Sequence, residues 1–333
     1  MSPPGGEALA AFLRAHLTGR SWRDVKRLVA TGKVWVDGVP ERVDGRRLRA
    51  GETVELRASA PRAARPGGGL RIVFEDTHVV VVDKPAGVSS VPFAPDDATE
   101  RAPAPHAAPR SAMDLVREVW RRERRRPSPL LKVHRIDKPT SGLLVYARTE
   151  DARRALYKLF RAHGAERTYL LVAHGQVASR TLDAPLVKDR GDGLRGVARR
   201  AGEGKRAVTH VRALEALDGA TLCEARLETG RTHQIRVHLA EAGHPLVGER
   251  VYVRDHQQAG RPLLESPRLL LHAATLGFPH PLSGRPLRFE APPPPDFAAV
   301  VERLRGGGAR AAASAPAPGG SSPERGRGRR RRR

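Results

Sequence analysis

The twelve residues from Ala58 to Gly69, ASAPRAARPGGG, decide more about this chain than any other stretch. Alternating Pro, Ala and Gly can neither continue a helix nor supply a core, so 58–69 reads as a linker and the chain as two folding units. The 39 % hydrophobic content is enough for a real core in the larger unit. No apolar run reaches the roughly 18 residues of a membrane span. The first twenty residues lack the long apolar segment and cleavage-like end of a signal peptide, so no membrane contact is expected and the cytoplasm is the expected compartment. The single cysteine, Cys223, excludes an intrachain disulfide and any cysteine-built zinc or iron–sulfur site.

Sixty Lys and Arg against 36 Asp and Glu leave a formal charge of +24. Of those sixty cations 52 are arginine, which forks onto phosphates and stacks on bases, so the excess points to nucleic acid. In the first unit, residues 7–57, two short amphipathic helices precede strand-like alternations. One helix lines up Leu9, Phe12, Leu13 and Leu17. The other starts at Ser21, an N-cap with Asp24 three residues on, and places Trp22, Val25, Leu28 and Val29 on one side. Arg20, Arg23, Lys26 and Arg27 then fall on the opposite side, a row of cations suited to phosphates. VWVDGVP follows, with an Asp37-Gly38 turn signal. The arrangement resembles the alpha-L RNA-binding domain found in a small-subunit ribosomal protein, which implies a module that positions RNA.

Residues 70–303 mix apolar strands with amphipathic helices, an α+β pattern. A Pro/Ala-rich insertion at 94–109 reads as a surface loop, and Ser111 as the cap of a helix reaching Trp120. Residues 304–333 lack large apolar side chains and are expected to be a disordered Arg/Gly-rich tail that tethers RNA through charge.

Two polar clusters interrupt the apolar runs. HRIDKPTSG holds His134, Arg135 and Asp137; TGRTHQIRVH holds Arg231, His233, Gln234 and Arg236. Two arginines near one carboxylate would hold it ionised and aim it. His233 and His238 are five apart, the wrong spacing for a helical zinc pair, and no P-loop or nucleophile elbow occurs. No metal or cofactor is expected.

Four motifs, in order, resemble those of the RluA-type pseudouridine synthases: VVVVDKPAGV with Lys84, HRIDKPTSGLLV, ERTYLLVAHG and TGRTHQIRVH. The likeness spans residues 70–293, and an alpha-L module in front is a family habit. It implies a pseudouridine synthase fold, a mixed and largely antiparallel central sheet flanked by helices. It also implies Asp137, Tyr169 and Arg236 as catalytic residues, Tyr169 as a platform for the flipped base, and Lys84, His134, Arg135, Arg231, His233 and Gln234 as substrate-binding candidates. Ile136 stands where Leu is usual, Glu249 where Asp is common, and Ser89-Ser90 replace a frequent His-Pro. The implied reaction detaches uracil from its ribose and rejoins it through carbon five. Asp137 would attack the anomeric carbon, attack the ring, or take a proton from the sugar, and the sequence leaves all three open. Ribosomal RNA is the favoured partner, with transfer RNA the alternative and a monomer expected. The rival from another class is a catalytically silent RNA-binding or ribosome-assembly factor.

Overall fold

Leu9, Phe12 and Leu13 recur at helical spacing and are fully buried in α1 (Leu9–His16), where they meet Val25 and Val29 of α2 (Trp22–Ala30). Ser21 and Asp24 close a reciprocal capping box at the start of α2, satisfying two otherwise orphaned donors. The computed structural model describes residues 3, 5–41, 43–57, 69–92 and 110–313. Linker residues 58–68, insertion residues 93–109 and tail residues 314–333 therefore lie outside the described residues.

Three short strands, β1 (Val34–Val36), β2 (Val39–Glu41) and β3 (Val54–Leu56), pair in the order β2-β1-β3 against the two helices. Asp37 and Gly38 both adopt positive φ, 48° and 75°, as a two-residue hairpin turn requires. Trp22 departs from the expected apolar stripe and is 52 % exposed. As the first residue of α2 its side chain points back toward the helix start, past the edge of a small core.

The larger unit is built on a ten-stranded sheet. In chain order its elements are β4 (Arg71–Glu75), β5 (Val79–Lys84), α3 (Ala112–Arg122), β6 (Leu131–Lys132), β7 (Ser141–Ala147), α4 (Glu150–Arg161) and β8 (Glu166–His174). Then come β9 (Arg180–Asp183), the small hairpin of β10 (Leu186–Val187) and β11 (Gly196–Val197), β12 (Val208–Leu217) and β13 (Ala220–Leu227). α5 (Gln234–Glu241), α6 (Arg254–Gln258), β14 (Leu271–Pro279), β15 (Pro286–Glu290) and α7 (Pro295–Ala313) complete it. The strand path is β4-β5-β7-β14-β8-β13-β12-β9, with β15 on β14 and β6 on β7. Only β7 and β14 run parallel, so the sheet is mixed and largely antiparallel. That junction depends on Gly142: a Cβ there would lie 2.3 Å from the Ala273 carbonyl oxygen.

Both faces of the sheet are covered, which is why β5 reads Val-Val-Val-Val rather than alternating. Val79 and Val81 pack toward Leu156 and Phe160 of α4, while Val80 and Val82 pack toward Val116 and Trp120 of α3. Along β8, Leu171 meets Ile235 and Leu239 of α5, and Val172 meets Phe297 and Val301 of α7. Cys223 is buried in the same core, and burial pushes its thiol up to about 11. The last helix runs on to Ala313, past the boundary drawn at residue 304. Among the described residues no helix is long and apolar enough to cross a membrane.

Ser111 caps α3 through a second capping box with Asp114. It also forms a parallel bridge with Ser89, and the Ala112 N–H donates to the Ser89 carbonyl at 2.7 Å. Ser89 and Ser111, which stand before and after the expected 94–109 insertion, are thus joined directly.

Candidate active site

Asp137 sits in the loop between β6 and β7, and that loop is fastened to the turn after β5. The Lys84 ammonium, wholly buried, donates to the carbonyls of Pro85, Val88, Lys138 and Thr140 at 3.0, 2.8, 3.3 and 2.5 Å. Gly87 N–H donates to the Lys138 carbonyl at 2.7 Å, and the Ser90 hydroxyl donates to the Ile136 carbonyl at 2.7 Å. Burial pushes the Lys84 ammonium down to about 7 and the Asp137 charge pulls it back up, while the four carbonyl dipoles favour the charged form. Lys84 is therefore a brace behind the loop and not a wall of the cavity, which corrects its assignment to substrate.

The Asp137 side chain is 14 % exposed and faces two residues of the α5 region. Its Oδ2 lies 3.6 Å from Arg236 Nη1, and its Oδ1 lies 3.9 Å from His233 Nε2. Both separations are longer than a hydrogen bond, so the carboxylate is aimed by the Arg236 charge with its lone pairs uncommitted to either neighbour. Arg236 is itself fixed by Glu249, which accepts from Nε at 2.7 Å and Nη2 at 2.8 Å. Burial works against the Arg236 charge, but Glu249 and Asp137 raise its pKa above the ordinary arginine value. Burial likewise opposes the Glu249 charge, and Arg236 outweighs it, holding the carboxyl at about 2. The Tyr252 ring stacks over the Arg236 guanidinium at 5.1 Å, and its hydroxyl meets His233 Nδ1 at 2.6 Å. His233 precedes α5 with φ at 59°, a left-handed conformation unusual for a side-chain-bearing residue, which turns the ring toward Asp137. Burial, with Arg236 beside it, pushes the imidazole down to about 4. The ring is neutral near pH 7 and does not cancel the Asp137 charge.

These groups line a cavity of about 390 Å³ between α4 and α5, with Tyr169, Leu227 and Leu271 in its wall. Its size is within the range of small-ligand sites. Burial pushes the Tyr169 phenol up to about 12, so it keeps its proton at neutral pH. Arg135 and Arg231 stand exposed at the mouth. A wider cleft, about 920 Å³, separates the two units, and two of its arginines are paired with neighbours: Arg46 with Glu41 and Glu52, Arg250 with Glu41.

His134, Arg231 and Gln234 also line the cavity, and each bonds a neighbour as well. Among the described residues Arg236 is the one arginine at ion-pair distance from Asp137; Arg231 donates through Nε to the Arg206 carbonyl at 3.0 Å. Gln234 is 2 % exposed and its amide is fully used. Its oxygen accepts from Thr229 and the Arg231 N–H, and its nitrogen donates to the Val208 carbonyl and Thr209, which makes it an anchor for α5. His134 accepts from the Val145 N–H at 3.2 Å and stacks on Phe160 at 4.4 Å. Burial, helped by Arg167, pushes its pKa down to about 3, so it offers the cavity a neutral ring. Ser90, Arg167, Glu249 and Tyr252 went unassigned in the sequence, because their partners lie on other elements.

The fold and this cavity define an RNA-modifying isomerase class, and the comparisons agree. A family model described as RNA pseudouridylate synthase matches residues 78–241. Ribosomal large subunit pseudouridine synthase D of Zymomonas mobilis is 42 % identical over 71 % of this chain and 73 % of its own. An uncharacterized RNA pseudouridine synthase of Bacillus subtilis, YlyB, is 35 % identical over 91 % of this chain and 95 % of its own. The solved structure titled Human RNA Pseudouridylate Synthase Domain Containing 4 shares the fold, with a TM-score of 0.55 at 23 % identity over 70 % of this chain and 92 % of that one. The chain belongs to the RNA pseudouridine synthase family.

Proposed function

We propose that this protein isomerises uridine to pseudouridine in large-subunit ribosomal RNA, with Asp137 as the catalytic carboxylate, as a cytoplasmic monomer. The observation that carries the reading is Asp137 facing Arg236 at 3.6 Å inside a cavity that also contains the Tyr169 ring. A carboxylate reaches a glycosidic bond only after the nucleotide has left the stack, at a cost of a few kcal/mol. Stacking on Tyr169 returns about 1–3 kcal/mol of that cost. Arg135 and Arg231 at the mouth suit the RNA backbone, or in the case of Arg135 the gap left by the flipped base.

The first unit fits an RNA-positioning role. The basic side of α2 carries Arg23, Lys26 and Arg27, with Arg20 just before the helix, and exposed Trp22 beside them offers a stacking surface. The ribosomal substrate is favoured by relatives named for the large subunit.

The test is to map pseudouridine in total RNA of a strain lacking the gene, complemented with wild type or with Asp137→Asn. Pseudouridine restored in large-subunit RNA by wild type alone is the expected result. Equal maps with both proteins would favour a silent binding or assembly factor, and restoration only in transfer RNA would move the substrate.

A further inference from the structure

Arg167 lies two residues before Tyr169 on β8, so both side chains project from the same face of the sheet, and both line the Asp137 cavity. It is 7 % exposed. Its Nη2 donates to the Glu228 carbonyl at 3.0 Å and its guanidinium lies 5.6 Å from the Phe160 ring centre. Nε has no hydrogen-bond partner.

The other deeply buried guanidiniums differ in kind. Arg236 pairs with Glu249, Arg190 and Arg47 with Asp192, and Arg268 with Asp296. Among the described residues Arg167 has no carboxylate at ion-pair distance; burial pushes its pKa down, and the group that pulls it up is the Tyr169 phenol. A buried cation without a counter-ion is costly unless another molecule completes its hydrogen bonds. Gly230 leaves the space it occupies, since a Cβ there would come 2.7 Å from Arg167 Nη1. A phosphate is the wrong occupant for so enclosed a group, because the exposed Arg135, Arg161 and Arg231 already stand at the mouth where a backbone would pass.

We infer that Arg167 reads the extruded base, donating from its guanidinium to a carbonyl oxygen of the uracil seated on Tyr169. This rests on the uridine-isomerising reading above. The three routes open to Asp137 share one demand. If the N1–C1′ bond breaks, by displacement at the sugar or after loss of a sugar proton, its electron pair stays on the ring and spreads onto O2 and O4. If Asp137 adds to the ring at C6, the electrons of the C5–C6 bond move onto O4. Negative charge grows on a carbonyl oxygen either way, and a donor already in place stabilises it without reorganising. Arg167 thus strengthens its bond as the reaction proceeds.

The experiment is single-turnover isomerisation at saturating RNA, using wild type, Arg167→Met, Arg167→Lys and Gly230→Ala. Each acts on a target uridine and on its 2-thio and 4-thio forms, in which sulfur is a poor acceptor. Arg167→Met should slow the uridine reaction about 100-fold, the scale of losing one oxyanion donor, with RNA affinity changed less than about twofold. Arg167→Lys should keep part of the rate. Gly230→Ala keeps Arg167 but displaces its tip, and should lose rate with an unchanged melting temperature. Wild type should slow on at least one thio substrate, and on that substrate Arg167→Met should add no further loss. Fully multiplicative losses on both thio substrates would overturn the inference. So would an affinity loss in Arg167→Met accompanied by a flatter salt dependence, which would make Arg167 a phosphate contact. A wild type inert on every RNA would overturn the function itself, and this inference with it.

Discussion

Glu249 takes two of the Arg236 N–H groups, at 2.7 and 2.8 Å, and leaves Nη1 to face Asp137. The arginine is therefore fixed from behind before it acts forward. A guanidinium without that anchor would swing onto Asp137 and tie up its oxygens. Glu249→Gln leaves a buried cation with one carboxylate fewer, and it should destabilise the fold by about 3 kcal/mol and slow isomerisation. Glu249→Asp should be far milder. Urea denaturation with single-turnover assays checks both, and a Gln variant with an unchanged midpoint would contradict this role.

Asp137→Asn should abolish turnover, by about 1,000-fold or more, while RNA affinity and melting temperature hardly change. The side chain makes no short hydrogen bond to Arg236 or His233, so little structure depends on its charge. A large drop in melting temperature would show that the carboxylate is a structural element.

Tyr169→Phe should retain RNA affinity better than Tyr169→Ala, which is expected to lose about 1–3 kcal/mol of stacking. If the two titrate RNA alike, the ring is not a platform for the base.

Acid should weaken the fold partly through His233. Its pKa is about 4 in the fold, against about 6.5 for a free imidazole. A folded value below the unfolded one means the contribution is complete above about 6.5 and is lost as pH falls toward 4. Denaturation at several pH values should show wild type losing roughly 3 kcal/mol more than His233→Gln across that window. Parallel pH curves for the two proteins would rule this out.

Much of this molecule could be read from local pattern. The caps at Ser21 and Ser111, the Asp37-Gly38 turn and the four valines of β5 each depend on neighbours within a few residues. The site was legible as two polar clusters, but the direction of each side chain was not. His134 and Gln234 lie in those clusters and line the cavity, yet their polar atoms also bond backbone groups of the frame, as Lys84 in VVVVDKPAGV does, because burial compels each to find a partner. Ser90 grips Ile136 from 46 residues away, and Tyr252 reaches His233 from 19 residues away, distances over which no spacing rule operates. Arg167 carries no local signal at all, since its cavity neighbours Phe160 and Gly230 come from other elements.

The bridge between Ser89 and Ser111 joins two parts of the frame. The ties from Lys84, Gly87 and Ser90 to the carbonyls of the Asp137 loop all come from residues before 93, and the helix capped by Ser111 begins after 109. The two serines therefore bring the chain on either side of residues 93–109 to one point, beside the ties on the Asp137 loop. One short parallel bridge thus couples the capping of a helix to the fastening of a loop whose Ile136 lies 46 residues beyond Ser90 in sequence.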